Sequence, residues 1–497
     1  MADKKYLIFD FGASNGRAIV ASFDGKRFDM EVTHRFDNGP VWAAGTLYWD
    51  LLHLVDELKT GLRASLRDHG PIESLAIDTW GCDFGFIDRR GKLLNNPVNY
   101  RDPRRHELAA ELHKEISPRE IFELGGSPVI DIMSLYQMYA FRHDGAVEMT
   151  EGDRFLMMPD LLNYELTGRP VNEFTNATMT LMCNQVTRNW EDGFFEKLGF
   201  DRSQFADPVM PGTVLGPVRG EVCRELEIDP VQVVAPATHD TASAVAGIPV
   251  TADAGHWAFI SMGTWCIGGI EPGELLINDD VFESGYGNQG GVEGRNMLVR
   301  LLTGLWIVQQ CREKWVKDKG ADIAWDEIVA ACGSLDGGTP LIDVDDARFG
   351  EPHVDMPSVV ADWCEATGQT RPGGMGEIAR CVYASLVMKF RENMRTLHRL
   401  TGKPIDRLHL VGGGVQNRML CQWTADAMGV PVVAGPTETT SGGNLLAQLL
   451  ASGEISSVPE CRAIAAASCN LEHYEPSNTA WWDDAFERYE KVVGQMV

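Results

Sequence analysis

Residues 10–17 read Asp-Phe-Gly-Ala-Ser-Asn-Gly-Arg, a stretch whose backbone and side-chain groups could act together on an anion. Small residues in a tight turn expose backbone N–H groups, and such a turn is a frequent binding site for phosphate. Hydroxyl, amide and guanidinium side chains add further donors at the same place. The groups of this predicted anion site belong to Ala13, Ser14, Asn15, Gly16 and Arg17.

Asp10 leads into this turn and could hold Mg²⁺ beside a phosphate, directly or through water. The alternative is an ordinary hairpin turn with a surface aspartate. Residues 12–16 also match G-x-S-x-G, which would make Ser14 the nucleophile of a serine hydrolase. That motif needs a helix after the serine, whereas residues 17–23 predict a second strand, so the hydrolase is disfavoured.

Residues 238–241, Thr-His-Asp-Thr, follow an apolar run and precede a segment of small residues. A carboxylate at this junction, Asp240, could accept and orient the proton of a substrate hydroxyl during phosphoryl transfer. The simpler alternative is that Asp240 is only a helix N-cap.

Two further turns in the second half have the small and hydroxyl residues of a phosphate or nucleotide site. Residues 261–264 read Ser-Met-Gly-Thr and place Thr264 in the counterpart of the first turn. Residues 412–417 read Gly-Gly-Gly-Val-Gln-Asn and follow a predicted strand, so a nucleotide could approach their backbone closely. The Walker sequence G-x-x-x-x-G-K-[ST] is absent, which excludes a P-loop.

Aromatic and hydrogen-bonding side chains alternate in residues 78–84 and 99–102. Sugars are bound by such combinations, because aromatic faces cover C–H surfaces while polar groups bind hydroxyls. The alternative is a core tryptophan beside ordinary polar loops.

The elements that must position these residues form a similar outline twice. Residues 6–23 predict a β-hairpin, residues 50–68 an amphipathic helix, and residues 75–77 a strand. In the second half, residues 257–268 predict a hairpin, residues 377–400 a long helix that stops at Gly402, and residues 408–411 a strand. We therefore expect an α/β protein of two similar lobes with a ligand cleft between them. The predicted domains are residues 1–248 and 249–497.

Length and composition limit the function classes. The chain has 497 residues, 44% hydrophobic, and a net charge of −27, which disfavours nucleic acid and anionic membranes as partners. Its 11 cysteines are scattered without C-x-x-C spacing, as expected for reduced thiols and not for a zinc site. The N-terminal apolar run is too short for a signal peptide. We expect a cytoplasmic protein, monomer or homodimer.

Several of these motifs occur in an order that resembles the FGGY carbohydrate kinases, and among them most closely the L-rhamnulokinases. The resemblance extends from Asp10 to about Leu449. It is carried, in sequence order, by residues 10–17, 78–84, 100–104, 158–160, 175–178, 239–245, 263–265, 304–306 and 411–417.

The resemblance implies two ribonuclease-H-like (actin-like) domains that close over ATP and a sugar, and phosphoryl transfer to the primary hydroxyl of a ketose. It implies that Asp240 is the general base and that Asp10 lies near Mg²⁺. The residues implied at the ATP phosphates and nucleotide are Ala13, Ser14, Asn15, Gly16, Arg17, Thr264, Gln309 and Gly413. Those implied at the sugar are Gly81, His239, Asp240 and Thr241.

The sequence departs from the rhamnulokinase pattern at Leu301, where an asparagine counted as a sugar contact is expected. Leucine cannot hydrogen-bond a hydroxyl, and missing donors strongly affect the choice between sugars. The resemblance makes L-rhamnulose the first expectation, and the departure at Leu301 makes L-fuculose or another keto-sugar the alternative. A chaperone-like ATPase built on the same lobes is a more distant rival.

Overall fold

The computed structural model describes residues 3–251, 253–335, 337–350 and 353–494. In chain order the strands are β1 (Lys4–Phe11), β2 (Asn15–Phe23), β3 (Phe28–Asp37), β4 (Pro40–Ala43), β5 (Thr46–Trp49), β6 (Ser74–Thr79), β7 (Phe84–Ile87), β8 (Arg154–Met157), β9 (Cys183–Asn184), β10 (Asn189–Trp190), β11 (Thr213–Pro217), β12 (Gln232–Ala235), β13 (Trp257–Met262), β14 (Trp265–Ile270), β15 (Gly287–Gly290), β16 (Asn296–Thr303), β17 (Arg407–Val411), β18 (Val432–Ala434) and β19 (Glu472–Tyr474).

The α-helices range from single turns to one helix of 28 residues. They are α1 (Leu51–His69), α2 (Arg104–Glu107), α3 (Ala109–Glu115), α4 (Pro118–Gly125), α5 (Ser134–Asp144), α6 (Glu148–Glu151), α7 (Met158–Thr167), α8 (Phe174–Ala177), α9 (Asp192–Leu198), α10 (Gly220–Leu226), α11 (Asp240–Ala246), α12 (Asp279–Glu283), α13 (Trp306–Lys319), α14 (Trp325–Ala331), α15 (Met356–Ala366), α16 (Gly374–Thr401), α17 (Arg418–Met428), α18 (Thr439–Ala451), α19 (Val458–Ser468) and α20 (Thr479–Val493).

The chain divides into two compact units, and the first is discontinuous in sequence. Unit 1 comprises residues 1–251, 271–299 and 439–469, and unit 2 comprises residues 252–270, 300–438 and 470–497. Two segments from the second half of the chain thus pack within unit 1. The predicted domain boundary at residue 248 does not include these two segments in the first domain, and it stays a prediction.

Unit 1 is built on a six-stranded sheet in the order β11-β12-β6-β1-β2-β3. Strands β1, β6 and β12 run parallel, while β2 and β3 extend the sheet as an antiparallel meander. Both faces of β1 are buried from Leu7 onward, because α1 packs on one side of the sheet and α18 on the other. The register places Asp10 opposite Asp78 on β6 and opposite Arg17 on β2.

Unit 2 repeats this core arrangement in the strand order β14-β13-β17-β18-β19. Strands β13, β17 and β18 are parallel, and β14 forms an antiparallel hairpin with β13. The long helix α16 is capped by Gly402 with a φ of 67°, as the glycine after the periodic segment predicted. The tryptophans at 363 and 482 are fully buried in this unit.

The main sequence-predicted elements are confirmed. The hairpins β1–β2 and β13–β14 and the helices α1 and α16 lie where the sequence pattern placed them. Asp50 is the N-cap of α1. All 11 cysteines are free thiols, and ten of them are buried. Among the described residues, no helix combines the length and apolar character that crossing a membrane requires.

Candidate functional site

The turn between β1 and β2 is a tight one whose shape depends on glycine. The Gly12 N–H donates to the Asn15 carbonyl at 2.8 Å, which closes the turn and leaves Ser14 and Asn15 exposed. A Cβ at Gly16 would lie 2.1 Å from the Phe36 ring, so only glycine fits there. Ala13 is half-buried. The turn therefore presents two polar residues to solvent, and it lies in the hairpin that the sequence predicted.

Asp10 lies at the end of β1, directly before this turn. Arg17 Nη2 donates to its Oδ2 at 2.9 Å, and Ser441 Oγ on α18 donates to the same oxygen at 3.0 Å. The carboxylate is thus fixed by one residue of the predicted anion site and by one residue that sequence analysis missed. Nothing in the local sequence around Ser441 marks it, since it is brought to β1 by the packing of α18.

Asp78, at the matching position of the neighbouring parallel strand, is completely buried. Asn444 Nδ2 on α18 donates to its Oδ2 at 2.6 Å, while Oδ1 has no hydrogen-bond partner. Burial raises the pKa of Asp78 well above its usual value, and the nearby carboxylates of Asp10 and Asp240 raise it further. An acid this poorly satisfied would gain from a cation or a donor placed beside it.

Asp240 is the first residue of α11, and its surroundings raise the pKa of its carboxyl group. The helix N-cap is His239, so Asp240 is not the N-cap that the simpler alternative required. The Asp240 Oδ1 accepts from the Thr241 N–H at 2.6 Å and from Thr241 Oγ1 at 3.2 Å. Its side chain is 37% exposed, yet it lies among enough protein, and close enough to Asp10, that its pKa rises to about 7.

His239 supports this carboxylate as a neutral group. Its side chain is only 4% exposed, and burial lowers its pKa to about 4. The 3.5 Å approach of His239 Nε2 to Asp240 Oδ1 is therefore not an ion pair at neutral pH. Because no positive charge stabilises the Asp240 carboxylate from this side, the carboxylate stays basic.

The helix that carries Asp240 is packed backbone to backbone against α18. A Cβ at Gly443 would lie 1.8 Å from the Ser243 carbonyl oxygen, and one at Gly247 would lie 2.4 Å from that of Thr439. Ser243 Oγ also donates to the Ala237 carbonyl at 2.6 Å, which ties α11 to the loop before it. Side chains larger than glycine at these two contacts would push Asp240 away from Asp10.

A buried glutamate that sequence analysis missed holds the loop just before Asp240. Glu173 is fully buried and accepts from Thr238 N at 3.0 Å and from Thr238 Oγ1 at 2.7 Å. It precedes residues 175–178, which the sequence did single out. A carboxylate next to a hydroxyl-rich motif was the available signal.

The stretch 78–84 is only partly available to a ligand. The Asp83 carboxylate is buried and accepts from Trp49 Nε1 at 2.6 Å, Trp80 Nε1 at 2.8 Å and Arg105 Nη2 at 2.7 Å. The hydrogen-bonding capacity of the Asp83 carboxylate is therefore used inside the protein and is not free for a sugar hydroxyl. Gly81 packs so closely on Met179 that a Cβ would lie 2.8 Å from its Cγ.

In unit 2, the turn between β13 and β14 contains Thr264 and is held by the start of α13. The Leu305 and Trp306 N–H groups donate to the carbonyls of Gly263 and Thr264 at 2.9 and 3.2 Å. A Cβ at Gly304 would lie 2.6 Å from one of these carbonyl oxygens and 2.7 Å from the other. Gly304 is therefore required for this approach.

The other two predicted nucleotide residues of unit 2 are both accessible. Gln309 is half-buried on the first turns of α13. Gly413 is exposed, and a Cβ on it would meet nothing within 4 Å. The neighbouring Gly412 has a φ of 84°, which gives the turn after β17 a conformation that glycine favours.

The oxygen ligands around Asp10 suit Mg²⁺ bound together with a phosphate. Among the described residues, no group of three or more His, Cys, Asp or Glu side chains forms a metal site by itself. Mg²⁺ commonly uses one or two carboxylates and completes its shell with water and substrate phosphates. Asp10 and the orphaned Oδ1 of Asp78 fit that requirement.

Comparison with known proteins decides the family. The N-terminal domain model of the FGGY family of carbohydrate kinases matches residues 5–247, and the C-terminal domain model matches residues 258–452. The chain belongs to the FGGY family of carbohydrate kinases. It is thus a phosphotransferase with an alcohol group as acceptor, which uses ATP and a sugar, and the serine hydrolase and the chaperone-like ATPase fall away.

Relatives of this kinase are similar along nearly its whole length. The rhamnulokinase of Bacteroides thetaiotaomicron is 34% identical over 492 residues, which cover 99% of each chain. That of Enterococcus faecalis is 33% identical over 476 residues, or 95% of this chain and 94% of the other.

Solved structures of sugar kinases share the fold at low identity. A gluconate kinase from Lactobacillus acidophilus superposes with a TM-score of 0.81 at 15% identity, over 100% of this chain and 98% of that one. Plasmodium falciparum glycerol kinase with ADP gives 0.75 at 15% identity, over 99% and 97%. The predicted fold of two ribonuclease-H-like, actin-like domains is confirmed.

Proposed function

We propose that this kinase transfers the γ-phosphoryl group of ATP to the primary hydroxyl of L-rhamnulose, giving L-rhamnulose 1-phosphate. The support for the sugar is the identity of 33–34% to proteins named rhamnulokinase over nearly the whole chain. The support for the chemistry is the Asp240 carboxylate in unit 1.

The observation that carries the mechanism is the environment of Asp240. A pKa of about 7 means that the group is a stronger base than an ordinary carboxylate and is still about half ionised at pH 7, so it can accept a hydroxyl proton. In the proposed step Asp240 takes the proton of the sugar hydroxyl as that oxygen bonds to the γ-phosphorus of ATP. The bond between that phosphorus and the β–γ bridging oxygen breaks, and ADP leaves. The neutral His239 and the hydroxyl of Thr241 lie beside it and would bind neighbouring sugar hydroxyls, and the backbone of Gly81 would complete the proposed sugar site.

We assign the phosphates and the nucleotide to the residues in and next to the turns described above. In unit 1, Ala13, Ser14, Asn15, Gly16 and Arg17 would hold the phosphate end of ATP with backbone and side-chain donors. In unit 2, Thr264, Gln309 and Gly413 would contact the nucleotide. Mg²⁺, held near Asp10, would supply neutralisation of the phosphate charge.

The sugar is tested by measuring ADP release with ATP and Mg²⁺ against L-rhamnulose, L-fuculose, L-ribulose, xylulose, L-rhamnose and glycerol. We expect the largest kcat/KM with L-rhamnulose. A larger value with L-fuculose or another sugar would overturn the sugar assignment and leave the kinase in place. ADP release that does not depend on any sugar would overturn the proposed reaction.

Leu301 sharpens this test, because it is the residue at which the sequence departs from the rhamnulokinase pattern. It is half-buried on β16. The variant Leu301→Asn adds an amide, and Leu301→Ala removes the leucine without adding one. If Leu301 sets the sugar preference, the two variants change the ratio of kcat/KM values for L-rhamnulose and L-fuculose differently. Equal ratios in both would show that the position does not contact the sugar.

A further inference from the structure

We propose that Glu173 is a positioning residue for the reaction, which acts by holding the Thr238–His239 backbone so that Asp240 points at the substrate hydroxyl. The proposal rests on the role of Asp240 proposed above. It concerns a residue outside the set that sequence analysis assigned to the site.

Glu173 is a buried carboxylate with an unusually complete set of donors. Its Oε2 accepts from Thr175 Oγ1 at 2.5 Å, Thr238 Oγ1 at 2.7 Å and Thr238 N at 3.0 Å, with the Asn176 N–H at 3.4 Å. Its Oε1 accepts from the Thr175 N–H at 2.9 Å. Two of these bonds only cap the four-residue helix α8, but the bonds to Thr238 reach a segment 65 positions away.

The loop before Asp240 is held from the same side by two further bonds. Thr175 Oγ1, which donates to Glu173, also accepts from the His239 N–H at 3.2 Å. Asn176 Nδ2 donates to the Thr238 carbonyl at 3.3 Å, and the Thr79 N–H donates to it at 2.9 Å. Glu173 thus orients Thr175 and Thr238, and these fix the two residues before the base.

An isosteric amide cannot replace this carboxylate. Glutamine has one acceptor oxygen, and its NH₂ group would face either the Thr175 N–H or the Thr238 N–H, both of which are donors. A buried donor left without an acceptor is costly, and the loop can avoid that cost by moving. Movement of about 1 Å in a catalytic group can lower the rate by about 100-fold.

The experiment measures kcat and the KM for ATP in Glu173→Gln, with Glu191→Gln as the matched control. Glu191 also caps a short helix and accepts from the Gly193 N–H and Asn184 Nδ2, but it makes no bond to residues 238–240. We expect kcat to fall by about 100-fold in Glu173→Gln with the KM for ATP unchanged. The control should keep kcat within about twofold of the unchanged enzyme.

The double variant Glu173→Gln, Asp240→Asn distinguishes the positioning role of Glu173 from a merely structural one. If Glu173 acts through the base, the double variant should have the same residual turnover as Asp240→Asn alone, because the group that Glu173 positions is already gone. A further fall of similar size in the double variant would overturn the positioning role.

The pair Thr175→Val and Thr175→Ser keeps the proposal testable if Glu173→Gln does not fold. Valine removes the hydroxyl that joins Glu173 to the His239 N–H, while serine retains it. We expect low kcat with valine and recovery with serine. Equal kcat in the two variants, or full activity of Glu173→Gln, overturns the positioning role, whereas full activity of Asp240→Asn instead overturns the proposed base.

Discussion

The two β-hairpin turns, one in each unit, have the same topology and different chemistry. In unit 1 the strand ends are charged: Asp10 pairs with Arg17 across the hairpin and with Asp78 on the parallel strand. In unit 2 the matching residue is Ser261, which lies opposite Ile267 across the hairpin and opposite Val411 on the parallel strand. The repeated fold therefore fixes where a turn lies, and the residues at the strand ends decide what it can do.

The difference extends to how each turn is supported. Unit 1 surrounds its turn with acids, and Asp240, the proposed base, owes part of its raised pKa to Asp10. Unit 2 brings the backbone of Gly304 against the carbonyl groups of Gly263 and Thr264. We infer that proton transfer and metal chemistry belong to unit 1, while unit 2 offers a backbone surface to the nucleotide.

The largest effect is expected when the carboxylate of Asp240 in unit 1 is removed. Asp240→Asn keeps the size of the side chain but cannot accept a proton, so kcat should fall by about 10²- to 10⁴-fold. The KM for ATP should change little. Steady-state ADP release with L-rhamnulose measures both. Turnover near the unchanged level would show that the base lies elsewhere.

The unit 2 turn is tested by adding a single methyl group at Gly304. A Cβ there meets two backbone carbonyl oxygens at 2.6 and 2.7 Å, so Gly304→Ala must move the Thr264 turn at a cost of about 1–3 kcal/mol of folding free energy. We expect the KM for ATP to rise about tenfold, a binding cost near 1.4 kcal/mol, with the KM for sugar nearly constant.

Gly413→Ala is the matched variant, because its Cβ would meet nothing within 4 Å. Its melting temperature should equal that of the unchanged protein, so any rise in its KM for ATP reports contact with the nucleotide. An unchanged KM for ATP in both alanine variants would remove unit 2 from the proposed nucleotide site.

The pH dependence of kcat/KM for the sugar reports the base in the free enzyme. Because Asp240 must be ionised to accept a proton, kcat/KM should rise with pH and level off above a pKa of about 7. Below that pH it should fall about tenfold per unit. An acidic limb near pH 4 would mean that the base has an ordinary carboxyl pKa and is not this group.

The smallest effect is on stability, and it has the opposite sign to the effect on activity. The pKa of Asp240 is raised to about 7 by folding, so the folded protein binds the proton more tightly than the unfolded chain. This contribution is fully present below about pH 4 and is lost as the pH rises through about 7. Asp240→Asn should therefore melt higher than the unchanged protein at pH 8, by on the order of 1 °C given the partial exposure of the group, and the difference should vanish near pH 4. Thermal unfolding at both pH values checks the sign.

Local sequence patterns were enough to predict the elements and several site residues. The signal for each of these features lies close to it in the sequence. This holds for the turn at residues 12–16, the helix after Asp50 and the carboxylate at 240. The partners of these groups were not predictable in the same way. Ser441 donates to Asp10 across 431 positions and Asn444 to Asp78 across 366, and no periodicity links such distant residues.

Asp83 shows the opposite limit of sequence reasoning. Its neighbours in the sequence are those of a sugar site, but two indole N–H groups and Arg105 already occupy its carboxylate. Residue type and spacing indicate what a side chain can bind. Residue type and spacing do not show whether other side chains of the protein already use its hydrogen-bonding groups.

The placement of α18 in unit 1 has a consequence for biosynthesis. The strands that carry Asp10 and Asp78 leave the ribosome early, but their hydrogen-bond partners lie between residues 439 and 451. At about 5–20 residues per second, roughly 20 to 90 s separate the synthesis of Asp10 from that of Ser441. During that interval the acidic residues have no hydroxyl or amide from α18, and one face of the first sheet lacks its helix. A nascent chain halted after residue 251 would therefore be a client for chaperones, and the two halves of the gene could not simply be expressed apart and mixed.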